Sequence, residues 1–396
     1  MKKNNYISIF AIAIFGALIL MITNGMTFTG ITVYDESLIE HFSWSKSTLK
    51  FRDFINLGCA ALIIPLVGAI IDKYGVKVSF TFGLLMLSAC YYTYSYIGSA
   101  THMYLIHVAF AFAVAASGTL AVIIMVSERV SENRGSAIGI ALAGTSLGGI
   151  FIPKVAGFLL EKYEWRMAFR YEAMLPLILL IFVWLFIKNK DRFQNNGHNK
   201  TDDLIEIDFL SAVKTRTFWF LAAIGFFSYY AILGLMGNLF LYMRELDFSA
   251  DTAISSLGLM SFIILIAKLL SGVLTDYIDK YTIFKVQLFI MLLGSVGFAL
   301  YDTTIVWVAI PLMAIGWGGL YTLINYVLIT TFGVNSAGKI GGTISTFESL
   351  GAGLGVWLSG LIADQSGSYA MSFTVVSSFL FLAFILSLFL KPIRTD

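Results

Sequence analysis

Long runs of apolar residues recur along the whole chain and restrict what it can fold into. A helix that crosses the hydrocarbon core of a bilayer needs about 20 mainly apolar residues. Twelve segments meet that requirement, at residues 7–33, 53–71, 78–97, 103–127, 136–160 and 168–187, and again at 217–242, 252–275, 283–301, 304–330, 340–363 and 368–390. The sequence therefore predicts an all-α polytopic membrane protein with twelve transmembrane helices.

The composition excludes most soluble classes. Hydrophobic residues make up 58% of the 396 residues and charged residues 13%, whereas soluble proteins carry about 25% charged residues. The 26 basic and 24 acidic residues leave a net charge of +2, which does not indicate a nucleic-acid partner. Cys59 and Cys90 lie within apolar runs, so we expect buried thiols rather than a disulfide or a metal site.

One long polar stretch divides the chain. Residues 188–216 are charged, rich in Asn and poor in aromatic residues, which is typical of a linker. We predict an N-terminal bundle of six helices over 1–187, a cytoplasmic linker over 188–216 and a C-terminal bundle of six helices over 217–396. The first apolar run lacks a small-residue cleavage pattern and more spans follow it, so we interpret it as a transmembrane helix rather than a signal peptide.

The distribution of basic residues predicts the orientation. About 17 of the 26 Lys and Arg residues fall on the side of the N-terminus and about 7 on the other, while acidic residues divide almost evenly. An excess of basic residues marks the cytoplasmic side. We therefore expect both termini in the cytoplasm and a multi-pass protein of the cell inner (cytoplasmic) membrane. We call the opposite side of the membrane the predicted outer side.

A short pattern occurs twice. Residues 68–77 read Gly-Ala-Ile-Ile-Asp-Lys-Tyr-Gly-Val-Lys, and residues 272–280 read Gly-Val-Leu-Thr-Asp-Tyr-Ile-Asp-Lys. Their aspartates, Asp72 and Asp276, are 204 positions apart, about half of the chain. Two similar halves with a substrate held between them are a known transporter architecture.

These motifs resemble those of the major facilitator superfamily. The pattern at 68–77 is similar to the superfamily's loop between helices two and three, and the copy at 272–280 lies between helices eight and nine. Residues 164–169 (Glu-Trp-Arg-Met-Ala-Phe) and 134–139 (Arg-Gly-Ser-Ala-Ile-Gly) also resemble superfamily motifs. The resemblance implies two six-helix bundles that work by alternating access. The candidate conformational residues it implies are Gly68, Asp72, Lys73, Gly75, Lys77, Arg134 and Asp276.

Elementary chemistry suggests what the repeated loop does. Gly75 permits a tight turn, and the Asp72 carboxylate suits the positive N-terminus of another helix, such as the one that begins near Gly338. The alternative is that Asp72, Lys73 and Lys77 anchor the bundle at the interface. The glycine-rich stretches 144–149 and 351–355 predict close helix packing.

A narrower resemblance concerns the loop between helices one and two. Residues 42–49 (Phe-Ser-Trp-Ser-Lys-Ser-Thr-Leu) look like the monocarboxylate transporter and oxalate–formate antiporter branches. Those relatives often carry an acidic residue in helix eight and an arginine four positions later. Here Lys268 stands on the arginine position and Ile264 on the acidic one. The resemblance therefore favours anion recognition over proton coupling of that kind.

Two charged residues lie deep within predicted spans. Lys268 is roughly 12 Å from the cytoplasmic end of its span at 1.5 Å per residue, and Glu348 has a similar depth. Such residues are costly in a membrane and usually face a cavity or a partner. We expect Lys268 to hold an anionic substrate, with an ion pair to Glu348 as the structural alternative. Glu348 is a candidate for proton coupling because burial favours a neutral carboxyl group.

Other candidates lie on helices one, seven and ten, which line the cavity in the superfamily. They are Asn24, Tyr229, Tyr321 and Asn325, of which Tyr321 and Asn325 share a helix face. Arg52 and Asp53, and likewise Arg166 and Arg170, lie near the predicted outer side. They are candidates for guarding the entrance, but we expect a solvated loop face.

The sequence indicates no nucleotide-binding loop, metal-ligand spacing or catalytic triad, so we expect neither an enzyme nor a cofactor. We predict a secondary transporter, driven without ATP, for a small organic anion such as a monocarboxylate, with H⁺ as the candidate coupling ion. The alternatives are a carrier of a siderophore, an amino acid or a drug-like solute. From a different class, the alternative is a membrane receptor or sensor that has lost transport.

Overall fold

The fold is helical throughout the part of the chain that the computed structural model describes, residues 2–130, 134–187, 209–275, 277–332 and 337–390. A π-helical turn (Gly25–Gly30) and a 3₁₀ turn (Ile31–Tyr34) join the first two helices. The helices are α1 (Lys2–Asn24), α2 (Asp35–Phe42), α3 (Lys46–Tyr74), α4 (Val76–Tyr94), α5 (Ala100–Ser117), α6 (Thr119–Arg129), α7 (Arg134–Lys162), α8 (Trp165–Glu172), α9 (Met174–Phe186), α10 (Phe209–Val213), α11 (Arg216–Met236), α12 (Leu239–Glu245), α13 (Ala250–Leu274), α14 (Lys280–Ala299), α15 (Val306–Phe332), α16 (Ala337–Ser366) and α17 (Tyr369–Leu388).

These helices match the predicted spans. Among the described residues, 11 helical stretches are long and apolar enough to cross a membrane, judged by length and composition. The second predicted span, 53–71, lies inside the 29-residue helix α3. Helices suit this environment because every backbone N–H and C=O group finds its partner within the same segment. Most of the predicted linker, 188–208, lies outside the described residues, and α10 occupies part of the remainder.

Contacts divide the chain into two compact units. The first contains Met1–Asp191 together with Leu239–Phe262, and the second contains Arg192–Asn238 together with Ile263–Asp396. The helix α12 and the first half of α13 therefore pack with the N-terminal helices. The predicted division at 188–216 stays a prediction.

The first unit is built around the packing of α1 on α7, beside which α3, α4 and α5 form a second group. Apolar side chains of these helices form one continuous core with those of α6 and α9. Near the end of α1 the helix widens into its π-helical turn, and threonine hydroxyl groups bond to the backbone there. Thr23 donates to the Ile19 carbonyl (2.9 Å) and Thr27 to the Thr23 carbonyl (2.7 Å). Local bonds of this kind satisfy hydroxyl groups without a second helix.

The second unit repeats this arrangement. Its tightest pair is α11 on α16, and α14 packs on α15 and α17. In this unit a buried side chain also bonds to other helices: Asn238 donates to the Val356 carbonyl (3.1 Å) and accepts from the Tyr369 hydroxyl group (3.0 Å).

In each unit, glycine residues allow the two most closely packed helices to approach each other: α1 and α7 in the first unit, α11 and α16 in the second. A Cβ atom at Gly144 would lie 2.1 Å from the Ala17 carbonyl oxygen, and one at Gly351 would lie 2.2 Å from the Phe226 carbonyl oxygen. These two glycines are 207 positions apart, as are Gly148 and Gly355, which make equivalent contacts one turn later. The close helix packing predicted from the glycine-rich stretches is confirmed, and it gives the internal repeat a structural basis.

We expect Gly144→Ala to destabilise the protein because the new methyl group would overlap the α1 backbone. Overpacking of this kind costs about 1–3 kcal/mol, or a fall in melting temperature of about 2–4 °C for each kcal/mol in a domain of 150–250 residues. Gly139→Ala is the matched control, since Gly139 lies on the same helix and no atom of another helix lies within 4 Å of its Cβ position. Equal melting temperatures for the two variants in detergent would contradict the packing argument.

Candidate functional site

The centre of the candidate site is a cation held over an aromatic ring. The Lys268 ammonium group on α13 lies 4.4 Å from the centroid of the Tyr321 ring on α15. Such a contact contributes about 2 kcal/mol or more when the cation is desolvated.

A close approach of the two helices sets up this contact. A Cβ atom at Gly318 would lie 2.7 Å from the Ile264 carbonyl oxygen and 2.6 Å from the Ala267 Cβ atom. The absence of a side chain at Gly318 therefore lets α15 lie directly on α13. Tyr321 is three residues after Gly318 and Lys268 is four after Ile264, so both side chains lie one turn beyond the contact.

Aromatic rings extend the site from α15 to α11. The Trp317 ring lies 5.8 Å from the Tyr321 ring, and the Tyr229 ring packs edge-on against Trp317 at 4.8 Å and 89°. Edge-to-face pairs at these distances are favourable beyond the area they bury. The three rings form one aromatic group across α11 and α15. We call Lys268, Tyr229, Trp317, Tyr321 and Glu348 the Lys268 site.

Glu348 on α16 completes the Lys268 site. Its side chain is 9% exposed and packs against α11 at Gly225, whose Cβ position lies 3.1 Å from the Glu348 Cγ atom. The carboxyl group hydrogen-bonds to the Ser345 side chain one turn earlier. It interacts electrostatically with the hydroxyl groups of both Tyr229 and Tyr321. The Tyr321 ring thus lies under the Lys268 ammonium group, and the same residue is within electrostatic range of Glu348.

The structure brings four of the sequence candidates together in the second unit: Lys268, Tyr229, Tyr321 and Glu348. Asn24 belongs to the first unit, where its side-chain amide lies 3.5 Å from the Thr23 hydroxyl oxygen at the start of the π-helical turn. The side chain of Asn325 lies outside the described residues. Asn24 and Asn325 therefore stay predictions.

The structure describes some of the residues that we predict to control conformation. Gly75 has a φ of +82° and donates its N–H to the Ile71 carbonyl (2.7 Å), so the tight turn predicted between α3 and α4 is present. Lys77 donates to the Trp184 carbonyl (3.2 Å) and lies 4.6 Å from the centroid of a Trp184 ring. Lys73 lies 5.1 Å from the Tyr74 ring centroid.

Arg134 donates to the Val130 carbonyl (3.1 Å), and Gly68 has open space around its Cβ position. The Asp72 side chain and Asp276 lie outside the described residues. The gating role of this set stays a prediction.

The expectation of a solvated face at Arg52 and Asp53 is wrong. Arg52 is 0% exposed and donates to a carboxylate oxygen of Asp35 at 2.5 Å, while Lys50 donates to the other oxygen. Asp53 lies 3.7 Å from the Arg52 guanidinium group. Two cations and two carboxylates thus balance each other inside the first unit. We call these four residues the Asp35 cluster.

The Asp35 cluster continues into a chain of hydrogen-bonded rings. Arg52 donates to the Tyr94 hydroxyl oxygen (3.1 Å), which lies 3.3 Å from the Nε2 atom of His107. The sequence places these residues in separate segments, and only the fold of residues 25–42 over α3 and α4 brings Asp35 to them.

Two further ion pairs join α12 to the other helices of the first unit. The Arg244 guanidinium group donates to both oxygens of Glu36 at 3.0 and 2.9 Å, and these bonds raise the pKa of Arg244. Lys46 donates to Glu245 at 2.5 Å. These contacts explain why Leu239–Phe262 packs with the N-terminal helices. The sequence gives no local signal for them, because about 200 residues separate the partners.

Comparison with known proteins identifies the family. The model of the Major Facilitator Superfamily matches residues 13–356. The chain belongs to this superfamily. The match confirms the resemblance to the superfamily that residues 68–77, 134–139 and 164–169 indicate.

Several transporters of the superfamily align with the chain at low identity. An agnestins efflux protein of Paecilomyces divaricatus is 27% identical over 65% of this chain and 58% of its own length. The hexuronate transporter of Bacillus subtilis is 26% identical over 66% and 68%. Monocarboxylate transporter 13 of Bos taurus is 25% identical over 80% and 74%. These relatives are transporters, but their names span different substrates.

The superfamily fold is also evident from solved structures. A bacterial homologue of the human lysosomal transporter Spinster, in an inward-facing and occupied conformation, superimposes with a TM-score of 0.78 at 16% identity and covers 95% of each chain. An unoccupied form of that homologue gives a TM-score of 0.75. At this identity, the likeness supports the twelve-helix architecture and not a shared substrate.

We expect Asp35→Asn to destabilise the protein strongly, because it leaves the buried Lys50 and Arg52 cations without their shared carboxylate. Breaking a buried pair costs about 3–5 kcal/mol, so the melting temperature should fall by about 10 °C. Glu36→Gln is the matched control on the same helix, since its pair with Arg244 is one-third exposed and such pairs contribute at most about 1 kcal/mol. A small effect of Asp35→Asn in a thermal scan would contradict the assignment of the cluster.

Proposed function

We propose that the protein is a secondary transporter that carries a small organic carboxylate across the cytoplasmic membrane by alternating access. This proposal rests on Lys268, a cation within a membrane-spanning helix, whose ammonium group lies over the ring of Tyr321. A charge in that position is costly, and within membranes such residues mark substrate pathways.

The chemistry of the Lys268 site suits an organic anion. The ammonium group supplies a charge-assisted hydrogen bond to a carboxylate, and the rings of Tyr229, Trp317 and Tyr321 supply apolar area for the remainder of the molecule. Two of the relatives are named for carboxylates, hexuronate and monocarboxylate. Their names support a carboxylate substrate, and the efflux relative keeps a larger drug-like solute as the alternative.

Glu348 is the candidate for proton coupling within this proposal. It lies in the same unit as Lys268 and interacts with Tyr229 and Tyr321. A carboxyl group that interacts with the rings around Lys268 can link its own protonation to the presence of the bound anion. Asn24, Asn325 and the loop residues at 68–77, with Arg134 and Asp276, complete the proposed machinery.

The assay is uptake by purified protein in proteoliposomes, with labelled lactate, oxalate and glucuronate beside a neutral amino acid. We expect Lys268→Ala to reduce carboxylate uptake by about 10- to 100-fold. The reason is that a hydrogen bond to a charged group contributes about 1.5–3 kcal/mol, and about 1.4 kcal/mol is a factor of ten.

Lys154→Ala is the matched control, since Lys154 also lies in a span, on α7, but is exposed. It should leave uptake near the wild-type level. Carboxylate uptake that survives Lys268→Ala would overturn the assignment of Lys268. Uptake of the amino acid alone would replace the carboxylate by a zwitterionic substrate.

For Glu348→Gln, we expect uptake to lose its stimulation by an imposed proton gradient while exchange of internal for external carboxylate continues. Gln keeps the shape of the neutral acid but cannot release a proton. Glu164→Gln, at an exposed position before α8, serves as the control. Stimulation by the gradient that survives Glu348→Gln would exclude Glu348 as the coupling group.

A further inference from the structure

The first unit holds a further buried carboxyl group, that of Glu172 at the end of α8, which the proposed transport cycle does not use. Its side chain is 0% exposed, and neither carboxyl oxygen makes a hydrogen bond that satisfies normal distance and angle limits. Within the described residues it takes part in no salt bridge. An ionised carboxylate in such a place would cost several kcal/mol.

The polar group that faces Glu172 is the Tyr34 hydroxyl group from the 3₁₀ turn. The Tyr34 ring stacks on Phe169 at 4.1 Å and 27°. Phe169 and Glu172 are three residues apart and so share a face of α8. The Tyr34 hydroxyl oxygen is itself buried and, like the Glu172 oxygens, makes no hydrogen bond within normal distance and angle limits. A neutral carboxyl group has an O–H donor and an acceptor oxygen, and so does a phenol. The two groups can therefore form a hydrogen bond with no counter-charge nearby.

Within the part of the chain that the structure describes, the other groups near Glu172 supply no cation that pairs with it. Tyr91 of α4 also interacts with Glu172, but its hydroxyl group donates to the Met26 carbonyl (2.7 Å). On α8 itself, Arg166 bonds to His41 and Arg170 bonds to Ser95. Among the described residues of the other helices packed on α8, α9 has no titratable residue, and those of α7 are exposed: Arg134, Lys154, Glu161 and Lys162. The helix α2 packs on Trp165 through His41 and otherwise adds only the carboxyl groups of Asp35, Glu36 and Glu40.

The nearby Asp35 cluster does not supply a counter-charge. Asp35 directly follows Tyr34, and its carboxylate binds both Lys50 and Arg52. Asp53 balances the second positive charge, since it lies 3.7 Å from Arg52. The charges of this cluster therefore cancel among themselves, and Glu172 stands as a separate carboxyl group beside it.

We propose that Glu172 is a proton-binding site of the first unit, occupied by a proton while Tyr34 packs on α8. Movement of the 3₁₀ turn away from α8 would admit water, let the carboxyl group ionise and release the proton to that water. The use of this proton in transport rests on the proposed function. The occupancy of the site does not.

The direct test is infrared spectroscopy of the purified protein in lipid at about pH 7. Glu172→Gln should remove intensity from the C=O stretch of a protonated carboxylic acid. Glu164→Gln, at an exposed position one residue before α8, should instead remove intensity from the carboxylate bands. Loss of carboxylate intensity in Glu172→Gln would show that Glu172 is ionised and overturn the proposal.

Thermal stability against pH provides a second readout, which needs no transport. Unfolding exposes the carboxyl group to water, where it ionises above about pH 4.3. Unfolding thus releases a proton, and the contribution of Glu172 to stability falls as the pH rises. The melting temperature of Glu172→Gln minus that of the wild type should increase between about pH 5 and pH 8. Parallel curves for the two proteins would contradict the proposal.

The infrared and thermal measurements need no substrate, so they test the proton site separately from transport. If carboxylate uptake is absent but the protonated band disappears in Glu172→Gln, the proposed function fails and the proton site stands. If uptake is present and Glu172 proves ionised, the proton site fails and the transport proposal stands.

Discussion

A polar group inside a bilayer must find its partner within the protein, and the described structure follows from that requirement. Backbone groups meet it through helices. Threonine hydroxyl groups in the first helix meet it by bonding to carbonyl groups one turn back. Charged groups meet it in three ways: Asp35 shares its carboxylate between two cations, Lys268 rests on an aromatic ring, and Glu172, in our proposal, keeps its proton.

Close packing between specific helices makes these solutions possible. Lipid tails are as apolar as leucine side chains, so helices in a membrane associate through contact and not through exclusion of water. In both units glycine lets one helix lie against the backbone of another, at Gly144 on Ala17 and at Gly351 on Phe226. Gly318 does the same beside the Lys268 site. The position of each buried charge therefore depends on residues that carry no charge.

The sequence predicts the parts of this structure that depend on local pattern. Apolar runs locate the spans, the turn at Gly75 follows from its place between two of them, and the glycine-rich stretches mark the close helix pairs. The depth of Lys268 and Glu348 within their spans is enough to single them out. All of these depend on residues within one or two turns of each other, for which sequence spacing is a good guide.

The parts that the sequence does not predict depend on contacts between distant segments. Arg52 lies next to a loop and resembles an exposed residue, yet the turn before Asp35 brings a carboxylate against it. Glu172 follows two arginines in a short polar helix, and only the packing of Tyr34 on Phe169 encloses it. The ion pairs of α12 with Glu36 and Lys46 span about 200 residues. Neither hydropathy nor spacing indicates such pairings.

If Lys268 binds the carboxylate of the substrate, as we propose, an experimental structure with a bound carboxylate should show the contact. Cryo-electron microscopy of the protein with saturating lactate or glucuronate would locate the anion. We expect carboxylate density within hydrogen-bonding distance of the Lys268 Nζ atom, with the remainder of the molecule against Tyr229, Trp317 or Tyr321. Density for the carboxylate at another cation, with Lys268 still bound only to the protein, would contradict it.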